Sequence, residues 1–402
     1  MGDILVLNSG SSSLKFALYS RNTSPDADPS DPDSALTRRF RGSLSGLGHA
    51  PGLHPEIDIR DTDNQPIDSA PLPDGPLSVG QALALLFKWI TRQPGLDDIS
   101  VIGHRIVHGG RHYRDPVILN DAIIAELDAL TPLAPLHQPG GLEPVKQIAA
   151  LSPDTKQVAC FDTAFHADIP DVARQFAIPR ELTDQGLIRY GFHGLSFDYI
   201  NRSLAKTLGD TPSGRVIIAH LGNGASLCAV ADGQSQAATT GLTALEGIPM
   251  GTRSGSVDPG LILHLLDQYQ MPLEEVTELL YKRSGLLGMS GISSDMYELE
   301  NSEDPRAEQA IALYAYRIVR EIGSLAAALG GLDHLVFTAG IGENSARLRQ
   351  RVCQGCEWLG ITLNGQANEQ HGPRISDDDS RVSVWVIPTD EERVIAWYSA
   401  QL

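Results

Sequence analysis

The chain has 402 residues, a formal net charge of −19, 42% hydrophobic and 20% charged residues, which fits a globular protein large enough for two or three domains. The acidic balance speaks against a protein that tracks nucleic-acid phosphates, so any anionic substrate must be held by a few local cations against the overall field. Four cysteines are too few for a disulfide scaffold and suit a reducing cytosol; the start MGDILVLNSG lacks a secretory pattern, and no apolar run reaches the ~18 residues of a membrane span.

The first predicted element is ILVLNSGSSSLKFALYS (residues 4–20), two β-rich apolar runs around a turn of Asn, Gly and Ser, with Lys15 on the second run. Arg21–Ser34 is rich in Pro and Asp and reads as an exposed loop; it lacks the ligand spacing and turn glycine of a Ca²⁺ loop. Further on, VIGHRIVHGGRHY carries His104, Arg105, His108 and Arg111. APLHQPGG carries His137, CFDTAFH carries Asp162 and His166, and RYGFHGLS carries His193. Short strands that end in Gly with His or Arg mark where α/β folds keep their chemistry.

VIIAHLGNGASLCAVADGQ (residues 216–234) repeats the pattern of the first element. Matching Ser13-Leu14 to Ser226-Leu227 sets Gly10 against Asn223, and a pair of similar domains is expected rather than a solenoid. PMGTRSGSVDPG places Arg253 and Asp258 in a Gly-rich loop. HLVFTAGIGENSARL (residues 334–348) reads as a strand, a Gly-rich loop and a helix with Glu343 and Asn344 in its first turn, resembling a nucleotide-contact loop. CQGC (residues 353–356) has redox or zinc spacing, but no second pair accompanies it, and a helix is its simpler reading. SVWVIPTDEERVIAW (residues 383–397) reads as a strand, a Thr/Asp cap and a helix with paired acids in its first turn; a helix dipole accounts for such acids, and a Mg²⁺ contact is the sharper reading for Glu391.

The histidines lack zinc-helix spacing, and no G-x-S-x-G elbow or Walker A sequence is present. Arg, His and Lys for equatorial oxygens, acids for Mg²⁺ and Gly loops for a nucleotide fit phosphoryl transfer better.

In order and spacing, VLNSGSSSLKF, GHRIVHGG, FDTAFH, YGFHG, AHLGNGAS, GTRSG and FTAGIGENS make the chain resemble the acetate and propionate kinase family from Asp3 to about Ala396. The resemblance implies an α/β fold of two duplicated actin/ribonuclease H-like domains with ATP in the cleft between them. Residues 1–165, completed by a C-terminal helix at 389–402, would form one domain, and 166–388 the nucleotide-binding one. It implies Asn8 and Glu391 at Mg²⁺ (or Mn²⁺), with Ser11, Ser13 and Lys15 on the ATP phosphates. Arg105 and Arg253 would hold the carboxylate and the moving phosphoryl group, Asp162 would be the essential acid, and His193 would stabilise the transition state. Val107, Leu136 and Phe192 would line the acyl pocket. The nucleotide would meet His220, Leu221, Gly222, Asn223 and Gly224, then Asp295, Met296 and Tyr297, then Gly340, Ile341, Gly342, Glu343 and Asn344.

The implied reaction is direct in-line transfer from ATP to acetate, by a cytoplasmic homodimer without nucleic-acid or membrane partners. A free carboxylate is already ionised at neutral pH, so Asp162 is assigned to organising Mg²⁺, water or an arginine rather than to removing a proton. Ala244, Ser256, Met296 and Tyr297 depart from the family's usual residues, and the small Ala244 makes propionate the runner-up substrate. The non-kinase alternative is an ATP-driven binding protein, which has no use for two arginines beside a small apolar pocket.

Overall fold

The computed structural model describes residues 2–10, 13–47, 54–69, 72–73, 75–93, 99–209 and 214–402. They divide into two compact units: Met1–Ala164 with Asp390–Leu402, and Phe165–Thr389.

In the first unit the strands are β1 (Asp3–Ser9), β2 (Leu14–Arg21), β3 (Leu36–Ser45), β4 (Glu56–Asp61), β5 (Ile99–Ile106), β6 (Val117–Ile118) and β7 (Lys156–Phe161). They form one sheet in the order β4-β3-β2-β1-β5-β7-β6. β1 pairs antiparallel with β2 and parallel with β5, which pairs parallel with β7. Six of the seven residues of β1 are buried, as expected of a central strand whose Ile, Leu and Val run is covered on both faces.

The helix Val79–Ile90 begins with a reciprocal capping box between Ser78 and Gln81. The C-terminal helix Glu391–Gln401, capped by Asp390, packs against β1 and β5. Gly103 on β5 permits that approach: a Cβ there would lie 2.4 Å from Ser399 Oγ and 2.7 Å from an Ile395 methyl. The Asp-rich loop is largely exposed, but it is also tied down. Asp31 caps the helical turn Pro32–Ala35, Asp33 pairs with Arg393, and Pro29 O accepts from Trp397 Nε1.

The second unit holds β8 (Arg215–Leu221), β9 (Ala225–Ala231), β10 (Gln234–Ala238), β11 (His334–Thr338) and β12 (Ser383–Val386), in the order β10-β9-β8-β11-β12. An antiparallel meander continued by two parallel strands is also the order β3-β2-β1-β5-β7 of the first sheet. The two hairpins seen in the sequence are therefore the first two strands of each sheet, the duplicated arrangement of actin-like folds. Their registers correct the sequence match. Ser9 pairs with Leu14 with four residues of chain between them (10–13), whereas Leu221 pairs with Ala225 with only three between (222–224), so no single offset superposes both strands. By register it is Asn8 and His220, each one residue before its strand's end, that correspond.

The long helix Pro305–Leu329 packs on the second sheet through Ala307, Ala310, Ile311, Tyr314, Ile318, Ile322 and Leu325, a stripe at helical spacing. Asp304 caps its start, Pro305 opens its first turn, and Gly330 at φ 69° ends it. Helix Gly194–Thr207 contributes Phe197, Ile200 and Leu204 to a separate cluster. Cys353 and Cys356 are buried free thiols at the end of helix Ala346–Gly355, and burial pushes the Cys356 thiol up to about 12. Among the described residues no helix is long and apolar enough to cross a membrane.

Burial also holds His104, His108 and His166 as neutral imidazoles, lowered from 6.5 to about 4. In the unfolded chain each takes up a proton below about 6.5, which the folded chain refuses until about 4. The stability they contribute is therefore complete above about pH 6.5 and declines through that window by ~1.4 kcal/mol per pH unit per histidine. Glu392 and Glu321, whose carboxyls burial raises, offset this in part, because acid favours their folded protonated forms. The expected outcome is a falling melting temperature from pH 7 to pH 5; a flat one would contradict these assignments.

Candidate active site

In the first unit, Asn8, Arg105 and Asp162 lie at the carboxyl ends of the adjacent parallel strands β1, β5 and β7, where open α/β sheets gather ligands. Asp162 N donates to Ile106 O, which fixes the residue beside the end of β5. The Asp162 carboxylate, 1% exposed, takes a two-pronged grip from Arg105, Nε to Oδ1 at 2.9 Å and Nη2 to Oδ2 at 2.6 Å. Arg105 Nη1 faces Asn8 Oδ1 at 3.3 Å. Desolvation opposes the Arg105 charge, but Asp162, Glu391 and Glu392 outweigh it and hold its pKa above the ordinary value. Asp162 is thus paired with Arg105.

Asn8 Nδ2 donates in turn to Glu391 Oε2 at 3.2 Å and Glu392 Oε1 at 2.8 Å. Burial raises the pKa of Glu392, and the neighbouring Glu391 raises it further, while Lys15 lowers it. Two like charges are therefore gathered in the first turn of the C-terminal helix. Lys15 is exposed on β2, opposite Asn8 in the register. Ser13 closes the β1–β2 turn through its carbonyl, which accepts from Gly10 N at 2.8 Å; Ser11 lies outside the described residues. Val107 is buried just beyond β5, and Leu136 is 38% exposed.

In the second unit the β8–β9 turn meets His193 and Arg253. His193 adopts φ 60° at the start of helix Gly194–Thr207, an uncommon conformation for a residue with a Cβ. Its Nδ1 lies 2.8 Å from Ser226 Oγ, and its ring stacks on His220 at 4.4 Å. His220 Nδ1 faces Ser196 Oγ at 2.8 Å, and Ser196 Oγ meets Thr389 Oγ1 at 2.9 Å. Arg253 Nη1 donates to Ala244 O at 3.0 Å. A Cβ on Gly224 would lie 3.2 Å from His193 Nε2 and 3.9 Å from Arg253 Nη1, so a bare backbone at 224 leaves both groups facing one small volume.

The loop that carries Arg253 is braced by its backbone. Gly251 N donates to Asn223 O, Met250 N to Arg253 O, Ser254 N to Leu280 O and Ser256 N to Gly247 O. Gly255 has φ 67°, and a Cβ there would lie 2.6 Å from Gly247 O. The departure Ser256 has a job in this loop: its hydroxyl accepts from Gly247 N at 3.1 Å. Asp258 caps helix Pro259–Asp267.

Several expected nucleotide residues are placed otherwise than their motifs suggest. Leu221 and Met296 point into the core, 0% and 4% exposed, leaving Asp295 and the 76% exposed Tyr297 as the outward residues around position 296. Phe192 is buried as well, in this unit. Residues 339–344 are not a loop: a short helix, Ala339–Asn344, follows β11 directly, so Glu343 and Asn344 lie in its last turn. Ala339 turns the elbow at φ 65°, its N–H bound to Glu343 Oε1 at 2.8 Å, and the same oxygen accepts from Thr389 N at 3.1 Å. Glu343 therefore braces the elbow. Gly340 is exposed, and a Cβ there would meet nothing within 4 Å; Asn344 is exposed too, whereas Gly342 is buried and Ile341 half-buried. Gly222 and Asn223 complete the β8–β9 turn, with Asn223 outward.

Sequence reasoning missed Glu392, Ser196, Ser226 and Thr389. Glu392 was visible only as the second of two adjacent acids, and single hydroxyls give no periodic signal.

The model of the acetokinase family matches residues 3–397. The chain belongs to that family. Two curated acetate kinases of the family, from Rhodopseudomonas palustris (strain TIE-1) and Nitrobacter hamburgensis, are 49% and 44% identical to it. They align over 98% and 100% of this chain and 97% and 96% of their own. Among solved members of the family, a propionate kinase from Francisella tularensis superposes with a TM-score of 0.90 at 35% identity, covering all of both chains. Porphyromonas gingivalis acetate kinase does so with a TM-score of 0.85 at 35% identity, over 100% of this chain and 99% of its own. Membership of the acetokinase family, with two sheets of the same strand order, makes the fold a duplicated actin-like one.

Proposed function

We propose that this chain transfers the γ-phosphoryl group of ATP to acetate, reversibly and directly, giving acetyl phosphate and ADP. The observation that carries this reading is the full-length similarity to acetokinases, a family of phosphotransferases with a carboxylate acceptor. Arg105, held by Asp162, receives the acetate carboxylate on its remaining donors, and its planar fork suits such an anion. Arg253 and His193 Nε2 face the transferred group and oppose the charge on its equatorial oxygens. Lys15 and the β1–β2 turn take the ATP phosphates, and the elbow at Gly340–Asn344 and the β8–β9 turn take the rest of the nucleotide.

Mg²⁺ fits the acids of the C-terminal helix. Among the described residues no group of three or more His, Cys, Asp or Glu could hold a metal by itself, but Mg²⁺ needs only one or two carboxylates beside substrate phosphates and water. Glu391 and Glu392, both half-buried and gathered on the Asn8 amide, supply hard oxygen donors and a like-charge strain that a cation relieves. When bound, Mg²⁺ supplies neutralisation of the phosphate charge during transfer. The proposal includes a cytoplasmic homodimer; helix Pro259–Asp267 buries no side chain and exposes Leu261 and Leu263 by 46% and 65%, an apolar face suited to a second copy.

Propionate is the second reading, favoured by Ala244. Its carbonyl holds Arg253, and its side chain is a single methyl, so position 244 does not crowd an extra methylene. A hydrophobic pocket discriminates a methylene by only about 1–3 kcal/mol, so kcat/KM for propionate is expected within about 200-fold of that for acetate. ADP release measured with each acid in parallel checks this; a larger gap rules propionate out, and a preference for propionate reverses the assignment of substrate.

A further inference from the structure

Arg349 is 0% exposed and heads the largest fully buried side chains of the molecule. Its guanidinium donates to Gly342 O and Glu343 O, both at 2.8 Å from Nη1. Nε reaches Asn368 Oδ1 at 2.8 Å, and Nη2 reaches Asn368 O at 2.8 Å and His371 Nδ1 at 3.1 Å. His371 Nδ1 also lies 2.9 Å from Glu343 O, to which only its N–H form donates, so it accepts from Arg349 only in the other tautomer. Among the described residues no carboxylate forms an ion pair with Arg349. Burying a guanidinium without one is costly, and simple core packing would be served better by an apolar side chain.

What Arg349 satisfies is the end of the six-residue elbow helix Ala339–Asn344. The last carbonyls of a helix have no partners inside it, and Gly342 is buried where water does not reach. The start of the same elbow is held by Glu343, whose carboxylate accepts from Ala339 N and Thr389 N. With Glu343 at its start and Arg349 at its end, the elbow presents the open backbone at Gly340.

We infer that Arg349 is a positioning residue for the nucleotide, setting the backbone of residues 340–344 from behind while touching no substrate. The inference rests on the reading of that segment as a nucleotide contact. Neither the acetate-binding arginine nor the groups over Gly224 are bound to Arg349, so its effect falls on ATP and not on the acyl substrate.

The test is a set of substitutions read as separate KM values for ATP and acetate, with melting temperatures alongside. Arg349→Lys keeps a charge but cannot span two carbonyls and Asn368 together, and it is expected to raise KM for ATP about tenfold while KM for acetate stays within about twofold. Asn368→Ala, which loosens Arg349 without removing it, keeps the question answerable if Arg349→Lys does not fold; a smaller rise in KM for ATP is expected. Gly340→Ala, whose methyl would meet no atom within 4 Å, tests the underlying reading by itself. If Gly340→Ala leaves KM for ATP unchanged, the nucleotide reading of the segment fails and the inference with it. If Gly340→Ala raises KM for ATP but the folded variants at 349 and 368 leave it unchanged, or raise both KM values equally, only the role of Arg349 is overturned.

Discussion

Arg253→Ala is expected to lower kcat by about two to three orders of magnitude, the scale of removing one preorganised donor to a developing oxyanion (~3 kcal/mol). The side chain reaches Ala244 O and faces the volume over Gly224 that it shares with His193 Nε2, and neither contact is needed to build its loop. The loop is shaped by backbone hydrogen bonds of Met250, Gly251, Ser254 and Ser256, all of which alanine preserves. Melting temperatures taken alongside separate loss of the donor from loosening of the loop. Arg253→Lys should recover only part of the rate, since a point charge does not reproduce the fork. Steady-state kinetics at saturating substrates decide this, and a near-normal kcat in Arg253→Ala would remove Arg253 from the reaction.

Arg105→Ala is expected to damage stability and catalysis together. It deprives Asp162, 1% exposed, of the guanidinium that grips it, and breaking a buried pair from one side typically costs about 3–5 kcal/mol. Asp162→Asn in the same chain removes the carboxylate charge that Arg105 neutralised and should restore part of the lost stability without restoring activity. The two substitutions should be strongly non-additive in kcat/KM for acetate, because Asp162 acts through the orientation of Arg105. Were Asp162 a general base instead, Asp162→Asn would abolish turnover even where Arg105 keeps its place, and acetate binding would be little changed. Calorimetric unfolding and a double-mutant cycle in kcat/KM separate the two cases.

The parts of this molecule that were legible in the sequence are those with a local signature. The Ile4–Leu7 and Val216–Ala219 runs had to be central strands because both their faces are apolar, and a turn of Gly, Asn and Ser between two such runs had to be a hairpin. The paired acids after Asp390 follow helix-start chemistry that a single chain displays.

Register did not show, because the two hairpin turns differ by one residue and nothing local counts residues across a turn. The elbow at Ala339–Asn344 was read as a loop from its glycines. It is a helix because Glu343 and Arg349, one within the segment and one beyond it, bind its two ends. Met296 lies between the exposed Asp295 and Tyr297, and Leu221 closes the buried strand β8, so only the packed sheet and helices show that both side chains face the core. The grip of Arg105 on Asp162 joins residues 57 positions apart, and only the parallel pairing of β5 with β7 brings them together.

The central claim is that the chain phosphorylates a short carboxylate. Its most direct test is trapping of acyl phosphate with hydroxylamine, in the presence of Mg·ATP and acetate, with Arg253→Ala as the inactive comparison. The account predicts a hydroxamate signal that requires acetate, equals the ADP released, and nearly vanishes in the variant. ADP release without trapped acyl phosphate, unchanged by acetate, would contradict it and leave an ATPase in place of the kinase.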